Sequence, residues 1–408
     1  MKCRHCNTLL TLPMIDLGSA PPSNAYRSKQ QLHQPEKKYP LRVLVCQTCW
    51  LAQTEDFAQA NELFDADYAY FSSFSTTWLE HAKHYAHEMS VRFHVGPSSH
   101  VVEIAANDGY LLQYFKAANI PCTGVEPTAS TAAAARAKGI DIVQEFFGVA
   151  LAHTLVAQGK QADLTAANNV LAHVPDINDF VAGFTVLLKA NGVATFEFPH
   201  LMRLMAENQF DTIYHEHFSY LSLTAVQRIF TANGLTVFDV EEHPTHGGSL
   251  RVFAQRTDTG NQPITDRVTQ LLLQEETAGV RTEKYYSAFQ LRAEKVKDDF
   301  VAFLIDAKRQ GKSVAAYGAA AKGNTLMNFA AIGSDLIQYV VDKNLAKQGK
   351  YMPGSLIPIV DPITLQEHRP DYLIILPWNI ANEVKEQNAP LAKLGTRFVT
   401  TVPKLEIG

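Results

Sequence analysis

"VVEIAANDGYLL", Val101 to Leu112, decides the fold. It opens as a short apolar run suited to a buried strand, and it closes by starting the helical run GYLLQYFKAANI. Between them Ala105, Ala106, Asn107, Asp108 and Gly109 form a polar turn. Working outward, the rhythm repeats. "PCTGVEP" reads as a second strand and "TASTAAAARAKGI" as a helix; "ADLTAANNVLAHVPD" holds a third strand and a loop; "INDFVAGFTVLLKANG" is a helix and "VATFEFP" a fourth strand. This alternation predicts a parallel sheet covered by helices. "GLTVFDVEE" and "GGSLRVFAQ" then follow with no helix between them, which predicts an antiparallel pair closing the sheet.

The turn also bears on the ligand. Glu103 lies towards the end of the first strand and Glu126 at the end of the second, where an acid can accept hydrogen bonds from both hydroxyls of a ribose. A dinucleotide loop needs glycines where backbone approaches a pyrophosphate. Here Ala105, Ala106, Asn107 and Asp108 fill that space and Gly109 is the single glycine, so a phosphate-free donor carrying an ammonium group suits the turn better. S-adenosylmethionine is the expected cofactor. Asn168 and Asn169, at the end of the third strand, are expected near the methylsulfonium. The plainer reading is that Glu103 and Asp108 cap a helix and the asparagines bond their own loop.

Four of five cysteines fall in two C-x-x-C knuckles, Cys3/Cys6 and Cys46/Cys49. Two such knuckles aim four thiolates at one tetrahedral ion, so a structural Zn2+ with no open position is expected. His5 could replace a cysteine. The segment between the knuckles carries Pro21, Pro22, Pro35 and Pro40 and should be an ordered loop with short strands.

Residues 264–305 read as a helical connector. A second α/β unit follows: "KSVAAYGAAAKGNTLMNFA" is strand, tight turn and helix, "IQYVVDKN" and "DYLIILPWN" are buried strands, and "RFVTTVP" is an edge strand. In its turn Gly318 and Gly323 flank small residues, and Lys322 at the helix start makes an anion site. Asp342 is placed like the acid of a dinucleotide fold, so NAD binding is an alternative, although the spacing is not G-x-G-x-x-G. Lys322 is expected near a substrate diphosphate and Arg251 near sugar or phosphate; the plain reading of Arg251 is a surface ion pair.

The 408 residues are 46% hydrophobic and 19% charged, with net charge -5, which gives ample core and disfavours a nucleic-acid binder. There is no long apolar segment to span a membrane, and MKCRHCNTLL lacks the apolar core of a signal peptide, so a cytoplasmic protein is expected. A monomer is expected, because no long exposed apolar helix seam is evident.

"FDTIYHEHFSYLS", Phe210 to Ser222, gathers more proton-handling side chains than any other stretch. It lacks the H-E-x-x-H spacing of a helical zinc site, and it follows the strand "TFEFP", past the sheet end where such folds build their sites.

Together with the double C-x-x-C, "YAYFSSFS", "EIAANDGYLL", "GVEPT", "HGGSLR" and "AYGAAAKGNTL", this stretch resembles the sugar C-methyltransferases that act on nucleotide-activated 4-keto-deoxyhexoses. The resemblance spans essentially the whole chain. It implies a small zinc-binding domain (1–65), a central class I methyltransferase domain of Rossmann-like form (66–263), and, beyond the connector, a C-terminal Rossmann-like domain (306–408). A dTDP-linked 4-keto-deoxysugar would lie between the last two. The implied chemistry removes a proton from a carbon beside the ketone (C3 favoured, C5 possible), and the enolate attacks the sulfonium methyl. His217 matches the family's base, Glu216 and Tyr214 its orienting neighbours and Tyr68 a tyrosine near the sugar. Lys322, Tyr317, Asn324, Arg251 and His246 are the expected substrate contacts. The segment should then be a turn or helix start, because an extended strand would separate Tyr214 and Glu216 from His217. The alternatives are an NAD-dependent nucleotide-sugar oxidoreductase and a zinc-dependent binding module.

Overall fold

A computed structural model describes residues 1–57 and 71–408. Tyr68 lies outside the described residues. Strands β1 (Leu12–Ala20), β2 (Tyr39–Val45) and β3 (Ala52–Thr54) form an antiparallel meander whose β1–β2 turn region carries the prolines. The segment between the knuckles is thus two strands joined by a long loop, with the cysteines at one end and the Pro21–Ser28 stretch at the other.

The stretch Val101–Ile104 is β4, buried along its whole length because helices cover both faces of the sheet. The strands β5 (Cys122–Val125), β6 (Asp141–Val143), β7 (Ala162–Asn168) and β8 (Leu188–Pro199) follow in parallel. After the two-residue β9 (Ser219–Tyr220), β10 (Leu235–His243) and β11 (Ser249–Arg256) form the anticipated antiparallel pair. The sheet order is β10-β11-β8-β7-β4-β5-β6, so β11 inserts between β8 and β10. Chain order reverses at β4, which opens a crevice beyond the carboxyl ends of β4 and β7. β9 stays out of this sheet. It pairs with β3, Ala52 opposite Tyr220 and Gln53 opposite Ser219, and becomes the fourth strand of the N-terminal sheet.

Helices Asp266–Ala278, Glu283–Ser287 and Phe289–Arg309 make the connector. In the last, Phe289, Ala293, Val296, Phe300, Leu304 and Ala307 recur every three or four residues as one buried stripe. That stripe runs past the expected boundary at 305. Glu275 reaches from the first connector helix to the amino end of helix Leu223–Ala232, accepting bonds from the Leu223 and Thr224 N–H groups at 2.7 Å and from His200 Nε2 at 2.7 Å. The C-terminal sheet has β12 (Val314–Tyr317), β13 (Val340–Val341), β14 (Ile359–Val360), β15 (Tyr372–Ile375), β16 (Arg397–Thr400) and β17 (Glu406–Ile407), ordered β14-β13-β12-β15-β16-β17. β16, expected at the edge, is covered by β17, which pairs with it antiparallel.

The packing ignores the sequence boundaries. Cys3, Cys46 and Cys49 share a core with β7, β8 and helix Ile177–Leu187 of the central unit. Leu12, Val43 and Val45 share another with Phe210, Phe289 and Val314. The N-terminal sheet is wedged between the other two.

Candidate active site

The crevice opens into a cavity of about 1010 Å³. That volume suits more than one small ligand. Its walls come from the turns after β4, β5 and β7, from the stretch that follows β8, and from the start of the C-terminal helix Ala321–Phe329.

The turn after β4 is held in unusual backbone geometry. Ala105 and Asn107 both have positive φ, +59° and +49°, and both line the cavity. Left-handed geometry of this kind costs non-glycine residues about 1–2 kcal/mol each, and such strain clusters at ligand sites. Glu126 anchors the turn. Its Oε2 accepts from the Asn107 N–H at 2.9 Å, and its Oε1 from the Thr128 N–H at 2.9 Å and Thr131 Oγ1 at 3.0 Å. Glu126 also lines the cavity, as do Asn168 and Asn169. Asn168 Oδ1 is buried with no hydrogen-bond partner among the described residues, while Asn169 has φ +53° and its Nδ2 lies 3.2 Å from His246 Nε2. His246, on the wall too, has φ +54°. A carboxylate and an amide oxygen on one wall have the chemistry to accept from ribose hydroxyls and an ammonium group, so the residues present fit S-adenosylmethionine.

Three expected residues stand behind this wall. Glu103 is 0% exposed, and burial pushes its carboxyl well above the usual carboxylate range. Asp108 is buried 3.5 Å from Lys138 Nζ. Gly109 has φ +76°, and a Cβ there would meet Ile140 Cδ1 at 2.3 Å. Its absence of side chain lets helix and strand pack, which is support rather than contact.

The Tyr214–His217 segment is a tight turn, closed by the His217 N–H donating to the Tyr214 carbonyl at 2.9 Å. The turn brings the Tyr214 and His217 rings to 3.9 Å, and both line the cavity. His217 Nδ1 lies 2.8 Å from the Thr212 carbonyl. A carbonyl only accepts, so Nδ1 carries the hydrogen and Nε2 keeps the lone pair. Burial, and then the neighbouring His173, push the imidazole well below its ordinary value, so it is neutral near pH 7. The His173 ring stands edge-on 4.6 Å away, its Nδ1 2.8 Å from the Glu216 carbonyl, and burial brings it down to about 4.

Glu216 turns the other way. Its carboxyl is off the cavity wall and 1% exposed; Oε1 accepts from Asn24 Nδ2 at 3.1 Å, the backbone of Ser23 and Asn24 also favours its charged form against the burial that raises its pKa, and Oε2 has no side-chain partner among the described residues. His215 also faces the N-terminal sheet, Nε2 3.2 Å from the Tyr39 carbonyl. The turn therefore regroups the stretch, with Tyr214 and His217 inward and His215 and Glu216 outward.

On the facing wall Lys322 Nζ sits 4.4 Å over the Trp378 ring and donates to Asn379 Oδ1 at 2.7 Å. Burial lowers its pKa, against the pull of Asp211. Asp211 accepts from Trp378 Nε1 at 2.7 Å, and burial raises its carboxyl to about 6. Tyr317, Asn324 and Arg251 are off the wall. Asn324 Nδ2 is spent on the Ser23 carbonyl at 2.7 Å. Arg251, 1% exposed, pairs with Glu197 at 2.8 Å and Glu241 at 3.3 Å and lies over the Tyr85 ring, so it is neither a surface pair nor a cavity residue.

Remote from the cavity, all four cysteine sulfurs lie within 4.8 Å of one another, with Cys3–Cys49 at 3.5 Å and Cys6–Cys46 at 3.4 Å. Tetrahedral Zn–S bonds of about 2.3 Å put sulfurs about 3.8 Å apart, so the cluster fits zinc and four thiolates close its sphere. His5 takes no part; its Nδ1 lies 2.8 Å from Asn178 Oδ1.

Three families match successive parts of the chain: a candidate zinc binding domain at residues 3–64, a methyltransferase domain at 78–240 and a C-methyltransferase C-terminal domain at 244–403. C-methyltransferase NovU of Streptomyces niveus is 32% identical over 403 residues, covering 99% of this chain and 96% of NovU. The chain belongs to the C-methyltransferases. It is an S-adenosylmethionine-dependent enzyme with an N-terminal zinc site, which sets aside the oxidoreductase and binding-module readings. The magnesium protoporphyrin IX methyltransferase of Synechocystis PCC 6803 with bound SAH is 12% identical at TM-score 0.35, covering 44% of this chain and 83% of that one. The glycopeptide N-methyltransferase MtfA with bound SAM is 16% identical at TM-score 0.33, covering 43% and 94%. No helix among the described residues is long and apolar enough to cross a membrane.

Sequence reasoning missed His173, Trp78, Asn24 and Asp211, the first three on the cavity wall. His173 had a signal: it follows Asn168 and Asn169 on the loop after β7, where such folds place site residues. The others had none.

Proposed function

We propose that the enzyme methylates a carbon beside the ketone of a dTDP-linked 4-keto-deoxysugar, C3 favoured and C5 the alternative. One observation carries this reading: a neutral, buried His217 whose Nδ1 hydrogen is tied to Thr212, so that Nε2 is left to take a proton on the wall of the donor cavity. Oxygen and nitrogen acceptors bring their own lone pairs. A carbon acceptor must first be deprotonated, and a ketone makes its neighbouring C–H acidic enough for an imidazole.

S-adenosylmethionine, when bound, supplies an electrophilic methyl group. The chain's residues do the rest. Glu126, Asn107 and Asn168 hold the donor. His217 Nε2 takes the proton. The Tyr214 hydroxyl, on the ring packed against His217, stabilises the negative charge that grows on the ketone oxygen. Lys322, at the far wall, meets the diphosphate, which would draw it from its place over Trp378.

The test is a panel of dTDP-4-keto-deoxysugars with S-adenosylmethionine, read by mass spectrometry and product NMR. A product 14 mass units heavier, with a new C–CH3 beside the ketone, is expected. O- or N-methyl products, or none across the panel, would sink the reading.

A further inference from the structure

The N-terminal domain reaches the cavity through the loop Pro21–Ser28 and through Asp56 and Phe57 beyond β3. The C-terminal domain holds this loop at several points. Ser23 offers its carbonyl to Asn324 Nδ2 at 2.7 Å. Tyr26 donates to the Ala319 carbonyl at 2.5 Å, and Arg27 exchanges two backbone bonds with Tyr351 at 3.0 and 2.8 Å. Between these anchors Asn24 lies on the cavity wall.

Its amide does one visible job. Asn24 Nδ2 donates to Glu216 Oε1, the single side-chain donor that carboxyl has among the described residues. Glu216 is held at its other end as well, where its backbone carbonyl meets His173 Nδ1. A residue fixed at both ends fixes its neighbour in the chain, and that neighbour is His217. We infer that Asn24 is a positioning residue: through Glu216 it sets the Tyr214–His217 turn and so aims His217 Nε2. The contribution to rate rests on the function proposed above; the contribution to geometry does not.

Two readouts separate these. In ligand-free enzyme with 15N-labelled histidine, the Nδ1–H signal of His217 (assigned with His217→Asn) reports its bond to Thr212. Asn24→Ala should shift or broaden it while SAH affinity by calorimetry stays within about twofold of wild type, because the donor wall is untouched. With the 4-keto sugar, kcat should fall about tenfold or more, as expected for loss of a hydrogen bond to a buried carboxyl, with KM for S-adenosylmethionine unchanged. Asn24→Asp sets two carboxyls against each other and should be worse. Combining it with E216Q restores the bond with donor and acceptor exchanged, and should recover several-fold over Asn24→Asp alone. An unmoved His217 signal or an unchanged kcat in Asn24→Ala overturns the inference, and so does a double variant no better than Asn24→Asp. Absence of methyl transfer by wild type on every 4-keto sugar overturns the substrate reading instead, and the spectrum then decides the positioning role alone.

Discussion

Replacing His217 with asparagine removes the proposed base and little else. An asparagine Nδ2 can still donate to the Thr212 carbonyl that His217 Nδ1 meets at 2.8 Å, so the turn keeps its internal bond. What disappears is the lone pair of Nε2 and the ring contact with Tyr214 at 3.9 Å. The ring contact is worth about 0.5–1.5 kcal/mol of stability. The lone pair is worth more: a positioned base contributes about 10²- to 10⁴-fold in rate, or roughly 3–5.5 kcal/mol of barrier. Two channels measure it. Methyl transfer is followed by SAH release; deprotonation is followed by deuterium entering the carbon beside the ketone in D2O. Both should drop at least a hundredfold in His217→Asn, with SAH binding intact. In wild type, the imidazole lies well below its ordinary 6.5 because of burial, so the rate should hold as pH falls through 6.5 and fail only below it. Retained exchange and transfer within about threefold of wild type, or an acid limb at or above pH 6.5, would refute the assignment.

Three further outcomes follow from the same structure. Glu197 is fully buried; His81 and Arg251 overcome its desolvation and draw its carboxyl from 4.5 to about 2. Its stabilisation is present above pH 4.5 and lost as pH falls through about 2. Glu197→Gln should therefore cost about 3 kcal/mol at pH 7 in chemical denaturation, narrowing below pH 4.5; equal stability at pH 7 would show that the ion cluster gives no net gain. Asp211 behaves oppositely. Its carboxyl is raised by burial to about 6, so its contribution is present below 3.8 and lost as pH rises through 6. Asp211→Asn should gain on wild type across that window by about 1–3 kcal/mol, and a pH-independent difference would refute it. Stripping zinc, or Cys46→Ser, should unfold the N-terminal sheet at lower temperature, with loss of the near-ultraviolet signal of Trp50, which stacks on Tyr286 at 6.2 Å; an unaltered signal and melting curve would contradict a structural ion.

What was legible in the sequence was local. The strand, turn and helix of Val101–Leu112, the antiparallel closure by β10 and β11, and the cysteine knuckles each lie in residues adjacent in the chain. Legibility ended where side chains were recruited over long separations. Nothing near Asn24 announces Glu216, and nothing near Arg251 announces that His81 and Glu197 will bury it. Asp211 reads as a surface acid until Trp378 and Lys322 close over it. Glu103 and Gly109 misled in another way, since both sit in a motif whose neighbours line the cavity while they hold its frame.

The pairing of β9 with β3 has a consequence for how the enzyme matures. Thr54 bonds the carbonyls of His217 and Phe218 at 3.1 Å, immediately before the two residues that complete the N-terminal sheet. The turn bearing the proposed base thus takes its shape only when two distant parts of the chain have met, and contacts of such separation form slowly. The donor wall needs only the central sheet. Breaking the β3–β9 pairing should therefore disturb the turn at His217 and leave the turns after β4, β5 and β7 in place.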